Sequence, residues 1–248
     1  MIKENTNIKI YFLLWLIILS FLLRLVVIYF FRDLHLYSVN VNEWNVLLHH
    51  LIKYKSYSFY IFDNLPIPSV YMPPIYPLFL YLIKVITSFE EANLLYIIIF
   101  IQIILSTYSV YLFYQINQNF FSNKLSLINS AIFSIFPLNI YACGQISSIN
   151  LQIVFSLLFL KFLLLLINKE KSSYIIFFSM ISGLLILTRG EFILIFIIII
   201  LFSILNKKIK LVNLVKIILI TFLVISPYVM RNYVHFNQIF IVKSFGFN

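Results

Sequence analysis

Long apolar runs parted by short basic connectors leave this chain very few folds. The runs fall at 11–31, 94–116, 125–141, 151–167, 174–188, 192–205 and 211–229. A helix needs roughly 20 apolar residues to cross a hydrocarbon core of about 30 Å, and several of these runs approach that length. Four glycines and an abundance of Ile, Leu and Phe argue against a β-barrel, whose strands alternate in polarity. Charged residues make up 10% of the chain, against roughly 25% in a soluble domain, and the mean hydropathy is +1.02. The expected fold class is all-α, a polytopic transmembrane helical protein, built as a single domain over 1–248.

Basic residues set the expected topology. Lys3 and Lys9 precede the first run, which has no small-residue cleavage site after it and reads as a retained span. The positive-inside rule places that end in the cytoplasm. The apolar segment 75–87 is short, carries Lys84 and is followed by Glu90 and Glu91. If it does not cross, Lys124, Lys169, Lys171, Lys207, Lys208 and Lys210 all share the cytoplasmic side with the N-terminal lysines. This gives about seven crossings, with the N-terminus inside, the C-terminus outside and a long first loop, 32–77, on the extracytoplasmic face. Net charge is +10, but it is scattered between spans rather than gathered on one face, so nucleic acid is excluded as a partner. The lone Cys143 forms no internal disulfide.

The loop 32–77 holds the water-facing chemistry. Within it, 41–53 reads as an interfacial helix, with Trp44, Leu47, Leu48 and Leu51 at helical spacing. Asp33 and Glu43 are candidates for a general base that takes a proton from a hydroxyl or amine. The structural alternatives are a pair between Asp33 and Arg32, and a favourable acid in a first helical turn for Glu43. Arg189 and Arg231 sit at the ends of spans, where a guanidinium fork suits a lipid-linked phosphate; the alternatives are snorkelling and an Arg189–Glu191 pair. Arg24 lies inside the first span, where an ionisable residue is costly and usually partnered. Tyr71-Met72-Pro73-Pro74-Ile75-Tyr76-Pro77 is a rigid aromatic turn that fixes how the loop re-enters the membrane. His49 and His50 are adjacent and point apart on a helix, and with no Cys cluster there is no metal site to assign. No phosphate-cradling glycine loop is present.

Taken together, several of these residues resemble the polytopic C-type glycosyltransferases that use polyprenyl-phosphate sugars, a group including protein O-mannosyltransferases and aminoarabinose transferases. The resemblance consists of Arg24, the Asn40-x-x-Glu43-Trp44 stretch, Met72-Pro73-Pro74-Ile75-Tyr76-Pro77, Gln102, Pro137, Leu187-Thr188-Arg189, and Ser226-Pro227-Tyr228-Val229-Met230-Arg231-Asn232-Tyr233 with Phe236, Gly246 and Asn248. It implies an enzyme of the bacterial inner membrane that moves a sugar from a polyprenyl-phosphate donor, with inversion, to a lipid, glycan or protein acceptor on the outer face. Glu43, then Asp33, is the implied base, and Arg231, Arg189 and Arg24 are the implied phosphate ligands. Asn40, Trp44, Tyr71, Pro73, Pro74, Tyr76, Glu191 and Asn232 shape the substrate site. Relatives carry an acid where this chain has Asn40, and they continue beyond the position of Asn248, so an N-terminal portion is expected. No cofactor is indicated, and a divalent cation is left open. Membrane lipids are the remaining expected partner. A non-catalytic membrane subunit or truncated remnant is the other reading; a transporter or flippase fits less well, since no internal repeat is visible.

Overall fold

The computed structural model describes residues 2–31, 43–70, 72–87, 91–239 and 241. The described residues are overwhelmingly helical and gather into two compact units, one of 1–45 and 86–157, the other of 46–85 and 158–248. Helix α7 (Ile149–Asn168) runs through the boundary.

In the first unit α1 (Ile2–Phe30) packs with α4 (Glu91–Asn117), α5 (Asn123–Ser134) and α6 (Pro137–Gly144). Helix α1 shows one narrow inward stripe, Ser20, Arg24 and Ile28, at a spacing of four residues, the helical period. The residues around that stripe, among them Leu14, Ile18, Leu22 and Val26, are exposed, as a lipid-facing surface requires. Helix α5 starts at a serine cap, with Ser122 Oγ accepting from the Leu125 amide, and buries Ser126, Ser130 and Ser134 along one side. Small side chains of this kind let helices approach closely inside a bilayer. Pro137 has no amide hydrogen to continue the ladder, so the chain bends by 49° between α5 and α6. Phe113 and Phe133 stack across α4 and α5 at 4.5 Å.

The second unit holds α2 (Glu43–Tyr54, from Val46 onward), a β-hairpin of β1 (Ser58–Phe62) and β2 (Leu65–Pro68), α3 (Ile75–Thr87), α8 (Ser172–Thr188), α9 (Phe192–Leu205) and α10 (Leu211–Phe236). Helices α8 and α10 form its main packed pair. Gly183 lies so close to α10 that an added Cβ would meet Val224 at 2.7 Å, and Thr221 Oγ1 donates to the Ser179 carbonyl at 3.2 Å. Helix α10 contains Pro227, which cannot donate to the Leu223 carbonyl; Ser226 Oγ donates to it instead, at 3.0 Å. Glu170 Oε2 accepts from the Lys210 amide at 3.2 Å and from the Asn213 side chain, capping the start of α10.

Two expectations are corrected. Among the described residues four helices are long and apolar enough to cross a membrane, or five if the bent α5–α6 pair is one span, in place of about seven. Helices α8 and α9 have 17 and 14 residues, which at about 1.5 Å per residue is short of a core of about 30 Å. The break at Arg189-Gly190-Glu191 ends one and starts the other, and the run 125–141 is divided at Pro137 rather than continuous. The helix expected over 41–53 is present as α2 from Glu43 to Tyr54, and its Leu47 and Leu48 are buried in protein rather than left open to lipid.

Candidate functional site

The base of the hairpin, the proline turn and the end of α10 meet around one arginine. Arg231 Nη1 donates to the Ser69 carbonyl at 2.7 Å and to Asn232 Oδ1 at 3.0 Å, while Nη2 donates to the Tyr57 carbonyl at 2.8 Å. Its guanidinium lies 5.3 Å from the centre of the Tyr57 ring and 5.8 Å from that of Phe236. A planar fork reaching two loop carbonyls at once fixes the loop's direction as well as its position. The Tyr57 hydroxyl extends the network, donating to the Met72 carbonyl at 2.7 Å and reaching that of Pro73 at 3.3 Å. Burial pushes the Tyr57 phenol well above the ordinary value of 10, Tyr228 adds to the shift, and the Arg231 charge offsets part of it. Tyr228 stands edge-on to Tyr57 at 6.5 Å, one helical turn before Arg231.

Of the residues singled out in the sequence, Arg231, Asn232 and Pro73 thus come together. Pro74 and Tyr76 are buried next along the chain, with Tyr76 stacked on Phe79. Arg189 and Glu191 form an exposed ion pair, Nε to Oε1 at 3.2 Å, in the turn between α8 and α9. Glu43 is exposed as the first residue of α2, and Trp44 is half-buried. Asp33, Asn40 and Tyr71 lie outside the described residues, as do Gly246 and Asn248. Tyr57 went unmarked in the sequence; its signal is only a tyrosine among many in an aromatic loop. Tyr228 stood in the sequence only as one residue of the 226–233 stretch, with no role attached to it.

Arg24 has different company. It is fully buried in the first unit, where Nε donates to Ser106 Oγ at 2.9 Å, and Nη1 to the Ser20 carbonyl and hydroxyl and to the Ser134 carbonyl at 3.1 Å. The Cys143 thiol is a further neighbour. Ser134 ends α5, so Arg24 satisfies a carbonyl released by the bend. Gln102 Nε2 does the same at the other end of α6, donating to the Cys143 and Gln145 carbonyls at 3.0 and 2.9 Å, and Asn150 donates to the Ala142 carbonyl at 2.8 Å. Carbonyls freed inside a bilayer must find such partners, since no water reaches them.

His50 is buried, its Nδ1 lying 2.9 Å from the Ser58 carbonyl, while His49 is exposed. Among the described residues no group of three or more His, Cys, Asp or Glu is arranged to hold a metal ion.

No curated protein and no solved structure matches the chain. A family profile, that of the dolichyl-phosphate-mannose-protein mannosyltransferases, matches residues 72–230, from the proline turn to one residue short of Arg231. With well over half of its length covered, the chain belongs to the dolichyl-phosphate-mannose-protein mannosyltransferase family.

Proposed function

We propose that this chain is a membrane glycosyltransferase, which moves a sugar from a polyprenyl-phosphate to a hydroxyl or amine of a lipid, glycan or protein at the outer face of a bacterial inner membrane. The family match over residues 72–230 carries the reading: membership implies a membrane glycosyltransferase that takes its sugar from a polyprenyl-phosphate. The finer assignments are ours. In this reading the N-terminus is cytoplasmic, and the loop between α1 and α3 faces outward. Glu43 abstracts the acceptor proton as the acceptor oxygen or nitrogen attacks the sugar's anomeric carbon with inversion; the anomeric C–O bond breaks and the polyprenyl phosphate leaves with its electron pair, and Asp33 is the second candidate base. Arg189, whose guanidinium is substantially exposed, takes the donor phosphate, with Arg231 adding positive charge while it holds the loop.

A non-catalytic membrane subunit is the second reading, favoured by one observation: the Arg231 fork already binds the protein's own carbonyls. The two separate in membranes expressing the chain, supplied with radiolabelled polyprenyl-phosphate sugars. A general base contributes about 10²–10⁴-fold, so Glu43→Gln should reduce transfer by that factor and leave donor binding intact. Wild-type turnover by this variant removes Glu43 from the chemistry. Absence of transfer by the correctly inserted wild-type chain favours the subunit.

A further inference from the structure

The β-hairpin turns an apolar face outward that no element among the described residues covers. Its register pairs Tyr60 with Ile67 and Phe62 with Leu65. Paired residues share a face and alternate residues return to it, so these four side chains form one continuous patch. They are 66%, 46%, 68% and 70% exposed, respectively. Asp63 and Asn64, both at positive φ, make the two-residue turn at the tip. No Lys or Arg interrupts 58–68. In water such a patch on a two-stranded ribbon invites aggregation.

The placement of the hairpin's base says what covers it. That base is tied to α10 through the bonds from Arg231 to the Tyr57 and Ser69 carbonyls. Helix α10 begins at Leu211, directly after Lys207, Lys208 and Lys210. Counted from Leu211 at about 1.5 Å per residue, Arg231 stands roughly 30 Å along the helix, one hydrocarbon thickness away. Lys216, the one basic residue between, is exposed and within snorkelling reach of the first end. Basic residues therefore bracket one bilayer's width of apolar helix, and the hairpin's base is fixed at its far boundary. Met230 and Val234, beside Arg231 on α10, are exposed at the same level, so the lipid-facing surface of the helix continues up to the point where the hairpin is attached.

We propose that the hairpin is a membrane-interface anchor, its Tyr60, Phe62, Leu65 and Ile67 face lying in the headgroup–acyl boundary of the leaflet where α10 ends. Aromatic residues favour that boundary, and a strand of about five residues, some 17 Å long, suits a ribbon lying along it. The bonds from Arg231 then keep loop and leaflet in register, so that the proline turn enters the protein at a set depth.

The test is a depth measurement on the full chain in phosphatidylethanolamine–phosphatidylglycerol nanodiscs. A nitroxide is attached at Leu65→Cys, with Asn119→Cys, on the exposed α4–α5 turn, as the aqueous reference; the remaining thiol, Cys143, is fully buried. The expected result is collisional access to oxygen several-fold above access to a water-soluble nickel chelate, the reverse of the ratio at Asn119. A second variant, Phe62→Asp, alters an exposed residue and should move the Leu65 label toward the aqueous ratio. Three results overturn the proposal: an aqueous ratio at Leu65, a lipid-like ratio that arises only after polyprenyl phosphate is added, or one that depends on two copies sharing a disc. The second assigns the face to an isoprenoid chain, and the third to a second copy of this chain.

Discussion

Replacing Gly183 by alanine tests the α8–α10 interface with a single carbon. The added Cβ would sit 2.7 Å from both Cβ and Cγ1 of Val224 and 3.3 Å from the Thr221 carbonyl oxygen. Carbon atoms in contact settle at about 3.5–4.0 Å, so the helices must part by roughly 1 Å. The cost of overpacking is about 1–3 kcal/mol, while alanine recovers up to about 1 kcal/mol of helix propensity. The net expectation for Gly183→Ala is a loss of about 1 kcal/mol, read as unfolding at lower SDS fraction in mixed micelles. Parting the helices also lengthens the Thr221–Ser179 hydrogen bond, which adds to the loss. Moving the glycine across the interface sharpens the test. In a Val224→Gly background the obstructing carbons are gone, so Gly183→Ala should become neutral or stabilising by up to about 1 kcal/mol, the propensity alone. A Gly183→Ala protein more stable than wild type, or an equal cost in both backgrounds, would refute the close approach as the reason for this glycine.

Arg24→Leu should destabilise the first unit by about 1–3 kcal/mol, because the Ser134 carbonyl and Ser106 hydroxyl lose a charged donor in a dry interior; unchanged thermal stability in detergent argues against the pin. Glu170→Ala should cost about 1 kcal/mol and speed amide exchange in the first turn of α10, as loss of an N-terminal cap does, whereas Glu170→Gln, which keeps an acceptor, should be milder. Tyr57 has its folded-state pKa above the unfolded value near 10, so it favours folding less as pH rises through 10, where the unfolded chain ionises and the folded one does not. Stability should therefore fall less steeply above pH 10 in Tyr57→Phe than in wild type, and parallel pH profiles would remove Tyr57 from that loss.

The helical class was legible because apolar runs of bilayer length have few other solutions. Counting crossings was harder, because a run's length on paper is not its helix's length: Pro137 divides one run, and Arg189-Gly190-Glu191 keeps α8 and α9 short. The hairpin had a readable signal, since Asp63-Asn64 sits between the five residues of β1 and the four of β2 as a two-residue turn would, but the prolines at 66 and 68 obscure it. Pro66 and Pro68 are tolerated because a two-stranded ribbon is all edge. Among the site residues, the Arg189–Glu191 pair was local and so visible as an alternative from spacing alone. The partners of Arg231 lie 162 and 174 residues away, and no pattern in either segment names the other. Tyr57 was missed for the same reason.

The bend between α5 and α6 also sets a schedule. Arg24 enters the membrane with α1, yet Ser106 follows 82 residues later and Ser134, whose carbonyl it serves, 110 residues later. At a synthesis rate of about 5–20 residues per second, the second partner arrives on the order of 5–20 s after the arginine. Through that interval Ser20, on its own helix, is the one of these partners already made, and an arginine in a lone span costs up to about 2.5–3.5 kcal/mol on insertion scales, less toward the span's end, where Arg24 lies. The first span is therefore poorly secured early in synthesis, so the insertion machinery must retain α1 until the kinked pair has followed it into the bilayer.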